Sequence, residues 1–115
     1  MNNQEPPVYR AAYDLTIAVS RYVKDCHRDY KGTIGLLMQS EALKMELFLY
    51  HVNDTDNKVG SIQKAIDSCY TIRMIAKLLL DLAVMPLDTS ISLNLKIEEV
   101  ARQLGGWKKA QSNNN

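Results

Sequence analysis

Apolar side chains recur in this chain every three or four positions, the spacing that gathers them on one face of a helix turning about 100° per residue. From Pro7 to Asp25 one stripe is made by Val8, Ala12, Leu15, Val19 and Tyr22 and runs on to Cys26, while Arg10, Asp14, Arg21, Lys24 and Asp25 lie opposite. A first helix is predicted there, with Pro7 in the first turn, where no backbone N–H is needed. A second is predicted from about Thr33 to Val52, after a turn marked by Gly32. Its main stripe is Ile34, Met38, Met45, Phe48, Leu49 and Val52, and Leu36, Leu43, Leu47 and Tyr50 form another on the far side.

The run Asn53-Asp54-Thr55-Asp56-Asn57 interrupts this periodicity with side chains that bond their own backbone, so it reads as a loop that supplies a cap for the next helix. The third helix is predicted from Lys58 to Met85. It carries Ile62, Ile66, Cys69, Ala76, Leu80 and Val84 on one side and Ile72, Ile75, Leu79 and Leu82 on another, and Pro86 ends it. Asp88, Thr89 or Ser90 then caps a fourth helix with the stripe Leu93, Ile97, Val100, Leu104 and Trp107. Gly105 and Gly106 cost about 1 kcal/mol each inside a helix, so a close backbone contact or a helix end is expected there, with Trp107 as an anchor. Residues 1–6 are expected to be a flexible N-terminus, 7–109 the folded domain, and 110–115 a disordered tail.

Helices joined by short loops become antiparallel neighbours, so the fold class is all-α, an antiparallel up-and-down four-helix bundle. No alternating strand pattern and no internal repeat interrupts that reading. The second and third helices, however, show apolar residues on two faces, and a lone bundle buries one face per helix. Either the second face meets another subunit, or the wide stripes reflect ordinary burial of central helices.

With 115 residues, 46% of them apolar and 23% charged, the chain is long enough for one core and no more. Fourteen Lys and Arg against thirteen Asp and Glu leave a net charge of +1, so any nucleic-acid role must rest on a local patch rather than on the overall field. The start, Met1 to Pro7, lacks the basic residues and apolar run of a secretory signal. No apolar stretch approaches the roughly 20 residues of a membrane span, since Arg73, Lys77 and Asp81 interrupt the densest region, and a cytoplasmic location is expected. Cys26 and Cys69 lack the spacing of a zinc site or a redox pair and read as buried thiols.

No paired carboxylates, Cys/His nucleophile, glycine-rich phosphate loop or metal-ligand cluster stands out, so neither catalysis nor a metal, cofactor or small-molecule substrate is expected. Arg21 and His27 do have the R-x5-H spacing found in some helical ribonucleases of the HEPN type, and His51 lies where it can meet the last carbonyls of the second helix. Arg73 interrupts the main stripe of the third helix and Glu41 that of the second. An unpaired guanidinium is costly to bury, so a buried Arg73 to Glu41 bridge is one reading, and a binding role is the other. Lys77, one turn beyond Arg73, joins Arg21, Lys24, Arg28 and Lys31 as a possible phosphate-binding stripe. The competing reading is a solvated face diluted by Asp25 and Asp29.

Three segments carry a resemblance: Asp29-Tyr30-Lys31-Gly32-Thr33-Ile34-Gly35, Ile72-Arg73-Met74-Ile75-Ala76-Lys77 with Asp81, and Leu104-Gly105-Gly106-Trp107. In order and spacing they resemble the accessory variability determinant proteins of diversity-generating retroelements, which belong with the four-helix bundles encoded in ribosomal RNA intervening sequences. The resemblance spans roughly Tyr13 to Trp107. This chain departs from it at Cys26-His27, where Phe-Pro is frequent, at Gly32, where an aromatic is frequent, and in its near-neutral charge. The resemblance implies a barrel-like homopentamer that partners a reverse transcriptase and binds template RNA or its hybrid with DNA, supporting mutagenic retrohoming. Carried over by position, Arg73 and Lys77 match a basic pair on the third helix and Lys31 a basic turn residue. Without the retroelement context, an intervening-sequence bundle acting as a structural or protein-interaction module is the alternative it implies.

Overall fold

Val8, Ala12, Leu15 and Val19 face inward from α1 (Pro7–Asp25), joined by Val23 and by Thr16, whose hydroxyl can return to the helix backbone. The computed structural model describes residues 7–113, so residues 1–6 and their expected flexibility lie outside it. After α1 the chain turns at Cys26 and His27, and a single α-helical turn, Arg28–Tyr30, passes through a π-helical turn, Lys31–Gly35, into α2 (Leu36–Tyr50). The expected start of the second helix at Thr33, behind a turn at Gly32, is therefore corrected. Helical backbone resumes at Arg28, because the His27 carbonyl accepts from the N–H groups of Tyr30 and Lys31 at 2.9 and 3.0 Å. Within the π turn Gly35 is buried, and a Cβ there would lie 3.2 Å from the Tyr30 carbonyl and 3.7 Å from Cys26 Sγ. A bare backbone at this point lets the end of α1 pack against the wide turn.

α2 stops at Tyr50. His51 caps it through its backbone, donating its N–H to the Leu47 carbonyl at 3.1 Å. A short 3-10 turn, Val52–Asp54, follows, with Val52 buried. Asn57 then opens α3 (Lys58–Asp81) by accepting the Gly60 N–H on its side chain at 2.9 Å, as a loop rich in Asn and Asp predicts.

α3 ends at Asp81, short of the expected Met85. Val84 and Ala83 donate their N–H groups back to the Leu79 and Leu80 carbonyls, both at 2.9 Å, and Ala83 takes a left-handed φ of 60°. That pair of bonds is a Schellman cap, which satisfies the last carbonyls before Pro86 is reached. α4 (Leu87–Asn113) then begins directly after Pro86, whose carbonyl accepts the Ser90 N–H at 3.0 Å. Of the expected caps, Asp88 accepts the Thr89 N–H at 2.8 Å from within the first turn, and Ser90 is buried.

α4 also outruns its expected end. It continues through residues 110–113, where Ser112 Oγ donates to the Lys108 carbonyl at 3.0 Å, so the tail expected after Lys109 is helical as far as Asn113. Gly105 and Gly106 lie inside this helix at ordinary φ, and a Cβ on either would meet nothing within 4 Å. Neither a helix end nor a close contact among the described residues accounts for them. Trp107 does anchor, with its ring edge-on to Tyr9 at 5.9 Å between centroids.

Each of the four long helices packs against two others, in the cyclic order α1, α2, α3, α4, leaving α1 and α3, like α2 and α4, at diagonal corners. No strand occurs among the described residues. Leu15, Met38, Met45, Leu49, Ile62, Ile72, Leu79, Leu93, Ile97 and Leu104 are fully enclosed at the centre. Each such side chain contributes about 1.5 to 3 kcal/mol by leaving water.

The two-faced helices divide differently. Leu36, Leu43, Leu47 and Tyr50 on α2 are all more than half exposed. On α3, by contrast, Ile72, Ile75 and Leu79 enter the protomer's own core, because α3 touches both α2 and α4 along its length. The apolar side chains it leaves in solvent are Tyr70, Met74 and Leu78, with Leu82 exposed just past its end.

Candidate nucleic-acid and partner interface

The last turns of α1 expose Arg21 and Lys24, and the segment leading into α2 exposes Arg28 and Lys31. None of these four cations has an ion-pair partner among the described residues, so their charge faces solvent undiminished by direct neutralisation. His27 shapes this patch by accepting the Asp29 N–H on Nδ1 at 3.1 Å, which starts the turn that presents Arg28 and Lys31. Asp29 Oδ2 lies 3.5 Å from the same nitrogen, so its charge points at His27 rather than at the cations.

Arg73 and Lys77 are carried by α3, the helix diagonal to the α1 that carries Arg21 and Lys24. Lys77 is exposed and donates to Asp81 at 2.8 Å, one turn on. Arg73 is half-buried, with its guanidinium 5.8 Å from the centre of the Tyr70 ring, a cation–π placement. The expected bridge to Glu41 does not form. Glu41 pairs instead with Lys44 of its own helix at 3.0 Å, and the Tyr70 face takes the place of a carboxylate beside Arg73. Periodicity alone sets Arg73 on the inner stripe, because it treats the helix as straight and its face as narrow. On α3 Ser68, Cys69 and Ile72 are buried, whereas Arg73 is only partly covered and turns to Tyr70 of its own helix.

Both thiols are buried and free, as expected. Burial pushes the Cys69 pKa up to about 12, with the Arg73 charge pulling the other way, and its Sγ lies 3.5 Å from Met45 Sδ. A thiol so protonated is a poor nucleophile. Cys26 lies beside Tyr22, whose hydroxyl has no hydrogen-bond partner among the described residues and is driven well above the usual phenol pKa, chiefly by burial.

Arg21 and His27, the ribonuclease-like pair, are placed in different surroundings. Arg21 borders an open groove of about 470 Å³ between α1 and α4, together with Tyr22, Asp25, Asp88 and Thr89, whereas His27 is engaged in its cap. No group of three or more His, Cys, Asp or Glu that could hold a metal ion occurs among the described residues. No helix among them is long and apolar enough to cross a membrane.

Sequence reasoning missed one surface feature, a row of exposed apolar side chains on α4 made by Leu87, Ile91 and Leu95. The signal was present as an i, i+4, i+8 spacing, but the stronger stripe from Leu93 to Trp107 on the opposite side of the helix drew the reading. No protein-family model matches the chain, and no curated protein matches it.

Proposed function

We propose that this protein is a non-catalytic accessory subunit of a diversity-generating retroelement, an antiparallel up-and-down four-helix bundle that works in the cytoplasm as a barrel-like homopentamer. In this reading it binds the reverse transcriptase together with template RNA or its hybrid with DNA and supports mutagenic retrohoming. It uses no metal or cofactor. The observation that carries the reading is apolar surface without a partner: Leu36, Leu43, Leu47 and Tyr50 on α2, with Tyr70, Met74 and Leu78 on α3 and Leu82 at its end, are each at least 41% exposed. Each helix thus carries its own row of exposed apolar side chains, and rows of this kind mark interaction sites. The antiparallel arrangement is supported by contacts that run in opposite order along partner helices, Tyr9 bonding to Leu49 and Ser20 to Gln39.

Arg21, Lys24, Arg28 and Lys31 supply the phosphate-facing charge in this scheme, and Arg73 and Lys77, on α3, face the polymerase. Four unpaired cations contacting a single strand give a log–log salt slope of about −3. A gel shift with template RNA between low and physiological salt tests this, with the quadruple variant Arg21→Gln, Lys24→Gln, Arg28→Gln, Lys31→Gln expected to lose binding. Retention of RNA by that variant, or a slope near zero, removes the nucleic-acid assignment. Charge reversal of Arg73 and Lys77 in the folded oligomer is expected to abolish pull-down of the reverse transcriptase, and an unchanged pull-down removes that assignment.

A second reading, an intervening-sequence type bundle serving as a structural or protein-interaction module, draws support from the net charge of +1 and from the neutralisation of Lys77 by Asp81. The two differ in genomic neighbourhood, since a retroelement places a reverse transcriptase gene and a pair of near-identical repeats beside this one. Unchanged RNA after long incubation with the pure protein disposes of a ribonuclease built on Arg21 and His27.

A further inference from the structure

Two apolar faces on this bundle lie on opposite corners. One is the α2 stripe ending in Leu43, Leu47 and Tyr50, and the other is the α4 row Leu87, Ile91 and Leu95. Because α2 and α4 are diagonal, no protomer can cover one face with the other. We infer that they cover each other between copies, the α2 stripe of one molecule packing against the outward face of α4 in the next. This deepens the self-association proposed above and rests on it, adding which surfaces meet and that the contact is head-to-tail.

Three observations point to a second copy as the occupant. The first is length: at 1.5 Å per residue, the stripe from Leu36 to Tyr50 spans about 21 Å, and the α4 face from Leu87 to Gly105 about 27 Å, so one accommodates the other. The second is charge. Lys44, whose ammonium already holds Glu41 with one of its three N–H donors, borders the α2 stripe, while Glu98, on the outward side of α4, has no ion-pair partner among the described residues. Opposite charges flanking two apolar rows set the register of a contact and disfavour each row pairing with itself.

The third is the glycine pair. Gly105 continues the line of Leu87, Ile91 and Glu98 on the helix surface, and Gly106 is adjacent. Each weakens the helix by about 1 kcal/mol relative to alanine. Among the described residues nothing lies within 4 Å of where a Cβ on either would sit. Bare backbone on the outward face admits a neighbouring helix more closely than any side chain would. A contact between two different patches is heterologous, and repeated from copy to copy it gives a ring where the rotation between copies closes and an open filament where it does not.

The experiment uses two single variants, Leu47→Asp and Ile91→Asp. Both positions are more than half exposed, so circular dichroism is expected to show unaltered helix. Light scattering on each variant alone is expected to give a single-chain mass, because each has lost one half of every interface. Mixed one to one, they are expected to give a dimer and nothing larger, since the intact α4 face of the first meets the intact α2 face of the second. If the wild type associates but Ile91→Asp keeps the wild-type mass, or the mixture stays monomeric, the surfaces assigned here are wrong while self-association stands. If the wild type is itself a single chain at high concentration, the oligomer in the proposed function fails and this contact fails with it.

Discussion

Thr16 Oγ1 lies 2.9 Å from the Ala12 carbonyl and 3.0 Å from Glu46 Oε1, so one hydroxyl proton faces two acceptors at the α1 to α2 contact. It can serve only one at a time. When Glu46 is protonated, the carboxyl can donate to Thr16 while Thr16 donates to Ala12, and every group is satisfied. Burial raises the Glu46 pKa above its ordinary 4.5, and the Thr16 bond opposes that shift only in part.

Stability linked to Glu46 therefore depends on pH in a stated direction. A folded-state pKa above the unfolded one means that the native state holds its proton more tightly, so the contribution is complete below about pH 4.5 and is lost as the pH rises through the native pKa. Glu46→Gln, which keeps the shape and removes the charge, is expected to raise the urea midpoint at pH 7 and to leave it nearly unchanged at pH 4. A lower midpoint at pH 7 would show that the carboxylate is favoured by the fold.

Ala83 holds a left-handed φ of 60° at the end of α3, a conformation that costs an L-residue about 1 to 2 kcal/mol and glycine almost nothing. Ala83→Gly is expected to stabilise the protein by about 1 kcal/mol, less the extra freedom that glycine brings to the unfolded chain. Equilibrium urea unfolding measures the gain, and an equal or larger loss would mean that the Schellman turn is not the populated conformation.

The Asn57 side chain accepts the Gly60 N–H at 2.9 Å, and a Cβ on Gly60 would fall on the Asn57 carboxamide. Asn57→Ala is expected to cost about 1 kcal/mol through the lost cap. Gly60→Ala is expected to destabilise the wild type by displacing that same cap, yet to stabilise the Asn57→Ala background by its helix propensity. A double-mutant cycle reads this sign reversal, and additive effects would break the proposed linkage.

Tyr22 buries a hydroxyl with no partner among the described residues, next to a thiol that accepts weakly. An unsatisfied buried donor costs roughly 1 to 3 kcal/mol, so Tyr22→Phe is expected to be neutral or stabilising by about 1 kcal/mol. Thermal unfolding checks this, and a large drop in Tm would reveal a partner for the hydroxyl.

The helices and their inward faces were legible before any tertiary structure. Val8, Ala12, Leu15 and Val19, or Leu93, Ile97, Val100 and Leu104, announce themselves by spacing alone, and the fold buries all of them. The basic turn was legible too, since Arg21, Lys24, Arg28 and Lys31 are near one another along the chain and stay exposed. The surroundings of Arg73 were not, because whether it meets Glu41 depends on how α2 and α3 are rotated about their own axes; Arg73 lies instead over Tyr70, one turn earlier on its own helix. The α3 terminus was missed for a similar reason. Pro86 is a visible stop, but the Schellman bonds from Ala83 and Val84 end the helix earlier and depend on a backbone conformation that alanine does not advertise.

Covalent spacing settles which side chains share a face, because the geometry of a helix is local and every turn repeats it. Which faces are covered, which cations are neutralised and where the apolar rows on α2 and α4 end up relative to each other were decided only by packing. Burial is a property of two surfaces that meet, and the chain order of one helix carries no record of which corner of the bundle its neighbour will occupy.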